Sequence, residues 1–177
     1  TQLMLLAGAA LAALAPAALA QSYAIHQLDF DDRPAQAWCL DGYGNPAGVV
    51  TMLTNNAFRG FVGPGFAGQL VNPSLSDSQT VVFGLNNDGQ AVAVSYRVGE
   101  IGEHALRFDG VSATLLGNFA PRGIAADGRI VGSRISTFGP GWLGRTACVF
   151  TEAGLADLPS LGGNFSQAIA AGPGDWT

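Results

Sequence analysis

The chain is poor in charge. Only 12% of its 177 residues are Asp, Glu, Lys or Arg, and eight Lys plus Arg stand against thirteen Asp plus Glu, for a net charge of −5. Affinity for a phosphate backbone is carried by clustered cations, so the composition argues against a nucleic-acid partner. Histidine is as scarce, with His26 and His104 alone. General-base catalysis needs a nucleophile or a carboxylate brought close to the imidazole, and no G-x-S-x-G elbow or other nucleophile motif occurs. Both histidines therefore read as satisfied strand residues. Of the two cysteines, Cys39 and Cys148, neither has a second Cys or a His at ligand spacing, so no metal site is expected. A bridge between them is permitted in an exported chain, but it needs Cα atoms within about 7 Å. Two separate, half-buried thiols are the expectation. No cofactor is implied.

Small and apolar residues fill the space that charge leaves. Residues 1–20 are almost wholly apolar and uncharged, and they end in Ala18-Leu19-Ala20 before Gln21-Ser22. That pattern is the hydrophobic region and the small-x-small cleavage site of a secretory signal peptide. A transmembrane anchor is the competing reading, since about 20 apolar residues span a bilayer, but Pro16 and the cleavage-like end favour the signal. The missing initiator Met and basic region suggest that the sequence begins inside the leader. Residues 21–177 then form a β-repeat domain with no membrane contact after signal removal, secreted or held at the cell surface or in the periplasm.

A unit recurs along that domain. Residues 40–49 read LDGYGNPAGV, 85–94 read LNNDGQAVAV and 124–133 read IAADGRIVGS, so that Gly44, Gly89 and Gly128 fall 45 and 39 residues apart. Asp-Gly between two strand-like runs, as at Asp88-Gly89 and Asp127-Gly128, is a strong hairpin signal, because Gly accepts positive φ at little steric cost. A second box follows each first one, RGFV at 59–62, HALRFD at 104–109 and TACVFT at 146–151, with Gly60, Ala105 and Ala147 aligned. A fourth apolar segment closes each unit at 68–71, 111–117 and 155–162, and a similar one stands at 23–29. Four strands joined as a meander are expected in each unit. The units span 31–77, 78–119 and 120–165, with an N-terminal strand before them and a truncated fourth unit starting at Gln167.

The runs VVFGL and QAVAV do not alternate with polar residues, which favours strands covered on both faces. Small residues at Gly48, Ala93 and Gly132 would permit close packing there. Four strands in about 40 to 45 residues match propeller blades. The predicted fold is all-β, a set of tandem four-stranded antiparallel meanders forming a partial or open β-propeller. A β-solenoid has shorter coils, and a sandwich does not require the period. Open blade edges would allow self-association.

Taken in order, the segments GLNNDGQAVA at 84–93, HALRF at 104–108 and ADLPSLGGNFSQA at 156–168 resemble the HAF-type bacterial extracellular repeats. The resemblance covers nearly all of residues 23–170. It implies an exported, propeller-type repeat protein and carries over no catalytic residue. The first unit departs from the pattern, with Pro46 in place of a strand residue and Trp38-Cys39 in place of a small residue and Gly, and irregular pairing is expected there.

Few residues point to chemistry. Asp29, Asp31 and Asp32 lack the ligand spacing of a Ca²⁺ loop and read as a solvated turn. Gly42-Tyr43-Gly44 with Gly48 echoes a dinucleotide loop, but the same place in the other units is a hairpin. Trp142, Phe138 and Trp38 are the ligand-binding candidates, because exposed aromatics supply large contact area and 136–143 forms an insertion loop. The expected function is a non-enzymatic binding or surface module for a glycan, a cell-surface protein or copies of itself. The alternative is a propeller hydrolase or lyase acting on an extracellular glycan, for which two or more of Asp41, Asp88, Asp109 and Asp127 would surround one pocket with His104.

Overall fold

The computed structural model describes residues 30, 33–52, 57–63, 69–71, 77–97, 102–137, 143–160 and 162–171. The leader at 1–20, the strand at 23–29, His26, the Asp29–Asp32 cluster, Phe138 and Trp142 lie outside them. The described residues form an all-β structure without a helix, so none is long and apolar enough to cross a membrane. Twelve strands make three antiparallel four-stranded sheets, each a simple meander. The first sheet holds β1 (Ala35–Leu40), β2 (Pro46–Thr51), β3 (Phe58–Val62) and β4 (Gln69–Val71). The second holds β5 (Asp77–Leu85), β6 (Ala91–Arg97), β7 (His104–Phe108) and β8 (Ala113–Gly117), and the third β9 (Ala120–Ile124), β10 (Ile130–Thr137), β11 (Leu143–Thr151) and β12 (Gly154–Asp157).

The three glycine turns share one backbone setting. Gly44, Gly89 and Gly128 have φ of 84°, 75° and 82°. In each turn the Gly N–H donates to a carbonyl three residues back, on Asp41, Asn86 or Ala125, at 3.1 Å. That same residue donates its own N–H to Asn45, Gln90 or Arg129 at 2.8 to 3.1 Å. This is the three-residue hairpin loop that ends in a left-handed residue, which glycine tolerates best. Neighbouring turns are tied together: Gly42 N–H donates to Asn87 Oδ1 at 2.6 Å, and Asn86 Nδ2 donates to the Ala125 carbonyl at 3.2 Å.

The sheets stack, and this explains the missing hydrophobic alternation. Ala91 and Ala93 face the first sheet in a core with Ala47, Val71, Val82 and Leu106, while Val92 faces the third in a core with Ala105, Phe119, Ile130 and Cys148. Successive residues of β6 are thus buried on opposite faces, and both must be apolar. The far face of the first sheet is closed by Phe30, whose ring lies 4.8 Å from that of Phe61.

Pro46 does not break the first sheet. It opens β2 opposite Leu40, where a strand's first residue can lack an N–H, and the expected irregularity lies instead at Trp38, where the register shifts between Ala37 and Cys39 before pairing runs on to Ala35↔Val50. The cysteines are free. Cys39 is partly buried and Cys148 fully so, deeper than half-buried.

Each sheet is also joined to the next by its successor's entering chain. The β5 residue Thr80, fully buried, accepts the Gly60 N–H on β3 at 2.8 Å and donates to the Val71 carbonyl on β4 at 3.2 Å. On the third sheet Ser166 takes the same seat: its hydroxyl accepts the Ala147 N–H at 2.9 Å, and Ala168 N–H donates to the Gly132 carbonyl at 3.2 Å. Phe119 occupies this place at the middle junction and packs with Ala105 instead.

Candidate functional site

The first strands of the sheets lie together, β1 against β5 and β5 against β9. Each carries an unpaired residue at the same place, and β5 has a second shift between Asp77 and Gln79. Ala37 pairs with Gly48 and Cys39 with Ala47, which leaves Trp38 out of the ladder. Val82 pairs with Ala93 and Gly84 with Val92, leaving out Phe83. Pro121 pairs with Gly132 and Gly123 with Val131, leaving out Arg122. A bulge bends its strand and re-aims the extra side chain. Repeated at one register in three neighbouring strands, it sets Trp38, Phe83 and Arg122 in a row.

The small residues opposite make the bulge possible. A Cβ on Gly48 or Gly132 would run into the backbone carbonyl of Gln36 or Ala120. Gly84 and Gly123 bring the strands close, since a Cβ on Gly84 would stand 3.0 Å from the Gly123 Cα, and one on Gly123 would stand 3.1 Å from the Ala170 Cα. Segment 166–171 therefore lies beside β9 as β9 lies beside β5.

The row is a packed stack. The Trp38 and Phe83 rings meet edge to face, 5.2 Å between centroids and 77° between planes, and the Arg122 guanidinium carbon sits 4.0 Å from the Phe83 centroid. Gln167 and Ile169 complete a cleft of about 540 Å³ around them. Trp38 keeps 54% of its surface exposed. A smaller hollow of about 210 Å³ shares Phe83, Arg122 and Ile169 and reaches Cys39. Another hollow, of about 640 Å³, lies near the β9–β10 turn, but there Arg129 is already paired with Asp127 at 2.7 Å.

The acidic residues named from the sequence do not line this cleft. Asp41, Asp88, Asp109 and Asp127 each sit in a separate turn, after β1, β5, β7 and β9. Asp41 accepts the N–H groups of Tyr43 and Asn45, and Asp109 those of Val111 and Ser112. The backbone N–H of Ser112 holds the Asp109 carboxyl below the usual carboxylate range, and that of Arg129 does the same for Asp127. His104 is buried at the far end of β7, opposite Ser95. Four register steps separate it from the Ala91↔Phe108 pair beside the turn, about 13 Å along the strand. Among the described residues no three His, Cys, Asp or Glu side chains are grouped to hold a metal.

Of the three residues singled out from the sequence, Trp38 is the one described, and it stands in the cleft. Phe83 and Arg122 were not anticipated. Their only trace in the sequence is position, each preceding the glycine that aligns across units, as Trp38 precedes Cys39. Comparison with protein-family models, curated proteins and solved structures found no match.

Proposed function

We propose that the chain is an exported, non-enzymatic repeat module whose sheets are blades of a partial or open β-propeller and whose ligand surface is the Trp38–Phe83–Arg122 cleft. One observation carries the reading: a bulge at the same register in β1, β5 and β9 aims three recognition-type side chains at one place. Bulges interrupt a ladder at a cost and gather near binding and active sites. The propeller element rests on three meanders stacked face to face with their first strands together, and export rests on the leader-like segment at 1–20.

The hydrolase or lyase reading would need acid residues and His104 around one pocket, and it draws less support because His104 stands at the other end of its strand from the β5–β6 turn that carries Asp88. The cysteines add none, since burial pushes both thiols up to about 11, away from the thiolate that a nucleophile needs. The test is a glycan and peptide array probed with the full chain and with Trp38→Ala. Saturable binding that the substitution weakens at least tenfold is expected. Turnover of a defined substrate with no saturable binding would overturn the proposal.

A further inference from the structure

Three arginines of this acidic chain are held in ion pairs. Arg129 pairs with Asp127 at 2.7 Å, Arg134 with Asp157 at 2.6 Å and Arg145 with Glu103 at 2.6 Å. Arg122 is handled differently. Its guanidinium lies over the Phe83 ring, and among the described residues no carboxylate stands within ion-pair distance of it. A ring face stabilises the cation without using an N–H donor, so the donor fork remains available to whatever enters the cleft. A planar guanidinium matches a carboxylate through two parallel hydrogen bonds.

The rest of the lining narrows the choice. Trp38 offers a rigid, flat, largely exposed indole braced by Phe83, the kind of surface on which the C–H face of a pyranose ring packs. Gln167 can both donate and accept, as sugar hydroxyls do, and Ile169 closes the wall. The volume of about 540 Å³ falls in the range of about 300–1,000 Å³ usual for small-ligand clefts. A phosphate polymer is disfavoured, because a single cation in a chain of net charge −5 supplies no cationic cluster. Capture of a peptide C-terminus characteristically uses a nest of backbone N–H groups, whereas this cleft is lined by side chains.

We propose that the cleft binds an acidic oligosaccharide, with Arg122 taking a uronate carboxylate and Trp38 stacking on a sugar ring. This rests on the cleft being the ligand surface, and it adds the ligand class.

The experiment is a titration of the full chain with oligogalacturonate, with a neutral gluco-oligosaccharide of equal length and with a peptide ending in Phe, followed by calorimetry and Trp emission. Oligogalacturonate should bind, and Trp38→Ala should abolish its effect on emission. Arg122→Met should weaken it about 10- to 100-fold, the worth of a charge-assisted hydrogen bond, and Arg122→Lys should fall between. The neutral sugar should bind at least tenfold more weakly, indifferent to Arg122→Met. If Arg122→Met fails to fold, Arg122→Lys, which keeps the charge but loses the fork, carries the test. Trp38-dependent binding of the neutral sugar at equal strength would overturn the acidic specificity and leave the cleft standing. Binding of the peptide alone would overturn the saccharide class. If no probe binds and the array signal also ignores Trp38→Ala, both readings fall.

Discussion

Trp38, Phe83 and Arg122 show how one backbone position can carry three chemistries. All three are bulge residues of a first strand, so the fold constrains where they point and leaves their type open. The residue after each bulge is more confined: Gly84 and Gly123 are pressed by neighbouring backbone, while Cys39, at the end of the stack, has room for a thiol that donates weakly to the Ala47 carbonyl at 3.8 Å. Burial pushes Cys39 up to about 11, and burial together with the Asp157 carboxylate does the same to Cys148. Both values are above the ordinary value of 9.0. An unfolded chain therefore loses these protons first. The stability contributed by the two neutral thiols is complete below about pH 9 and declines toward pH 11. Melting temperature measured between pH 8 and 11 should fall less steeply in the Cys39→Ala/Cys148→Ala double variant than in the parent. A thiol reagent at pH 8 should label the folded chain slowly and the unfolded chain at once; equal rates would contradict the burial.

At the scale of elements, the hairpin is the unit that repeats, and its geometry depends on small residues at two places. Gly132 faces the bulge across the β9–β10 ladder, and a Cβ there would meet the Ala120 carbonyl, which as backbone cannot rotate away. Gly132→Ala should cost about 1–3 kcal/mol, the range of an overpacked site, read as a lower denaturant midpoint. Any variant that still folds should also bind more weakly, because the bulge that aims Arg122 is disturbed. An unchanged midpoint would refute this account. The turns were legible in the sequence, since Gly44, Gly89 and Gly128 are each preceded by a polar turn and followed by an apolar run. The strand segments were legible for the same reason. The bulges were not, because an extra residue in a ladder is defined by its partner strand, and Ala37↔Gly48 or Pro121↔Gly132 is invisible until the strands are paired. Trp38 therefore stands out in the sequence as an aromatic, whereas nothing there marks Phe83 and Arg122 as its neighbours. Pro46 is the opposite case: its missing N–H would matter inside a strand, and it stands at the start of one.

At the scale of the molecule, three sheets are held by two apolar interfaces and by hydroxyls that reach from one sheet's successor back into it. Thr80 is fully buried and satisfies the Gly60 N–H. Thr80→Val keeps the shape and strands that donor, which should cost about 1–3 kcal/mol, while Thr80→Ser should recover most of the loss. Ser166→Ala should act only on the third sheet, speeding amide hydrogen exchange at Ala147 and Ala168 and leaving Gly60 as protected as before. Uniform acceleration across all three sheets would mean that these contacts do not act locally. The middle junction, where Phe119 stacks with Phe150 at 5.9 Å, should ignore both changes.

The hydroxyl on Ser166 belongs to residues that come after the third meander has finished its last strand. A protease that clipped the chain just beyond Asp157 would remove none of the twelve described strands, yet it would strip away the clasp on Ala147 and bare the flank of β9. Severed past Ala171, the same sheet would keep its fastening. The sensible place to divide this polymer is therefore past Ala171, one segment later than its meanders suggest.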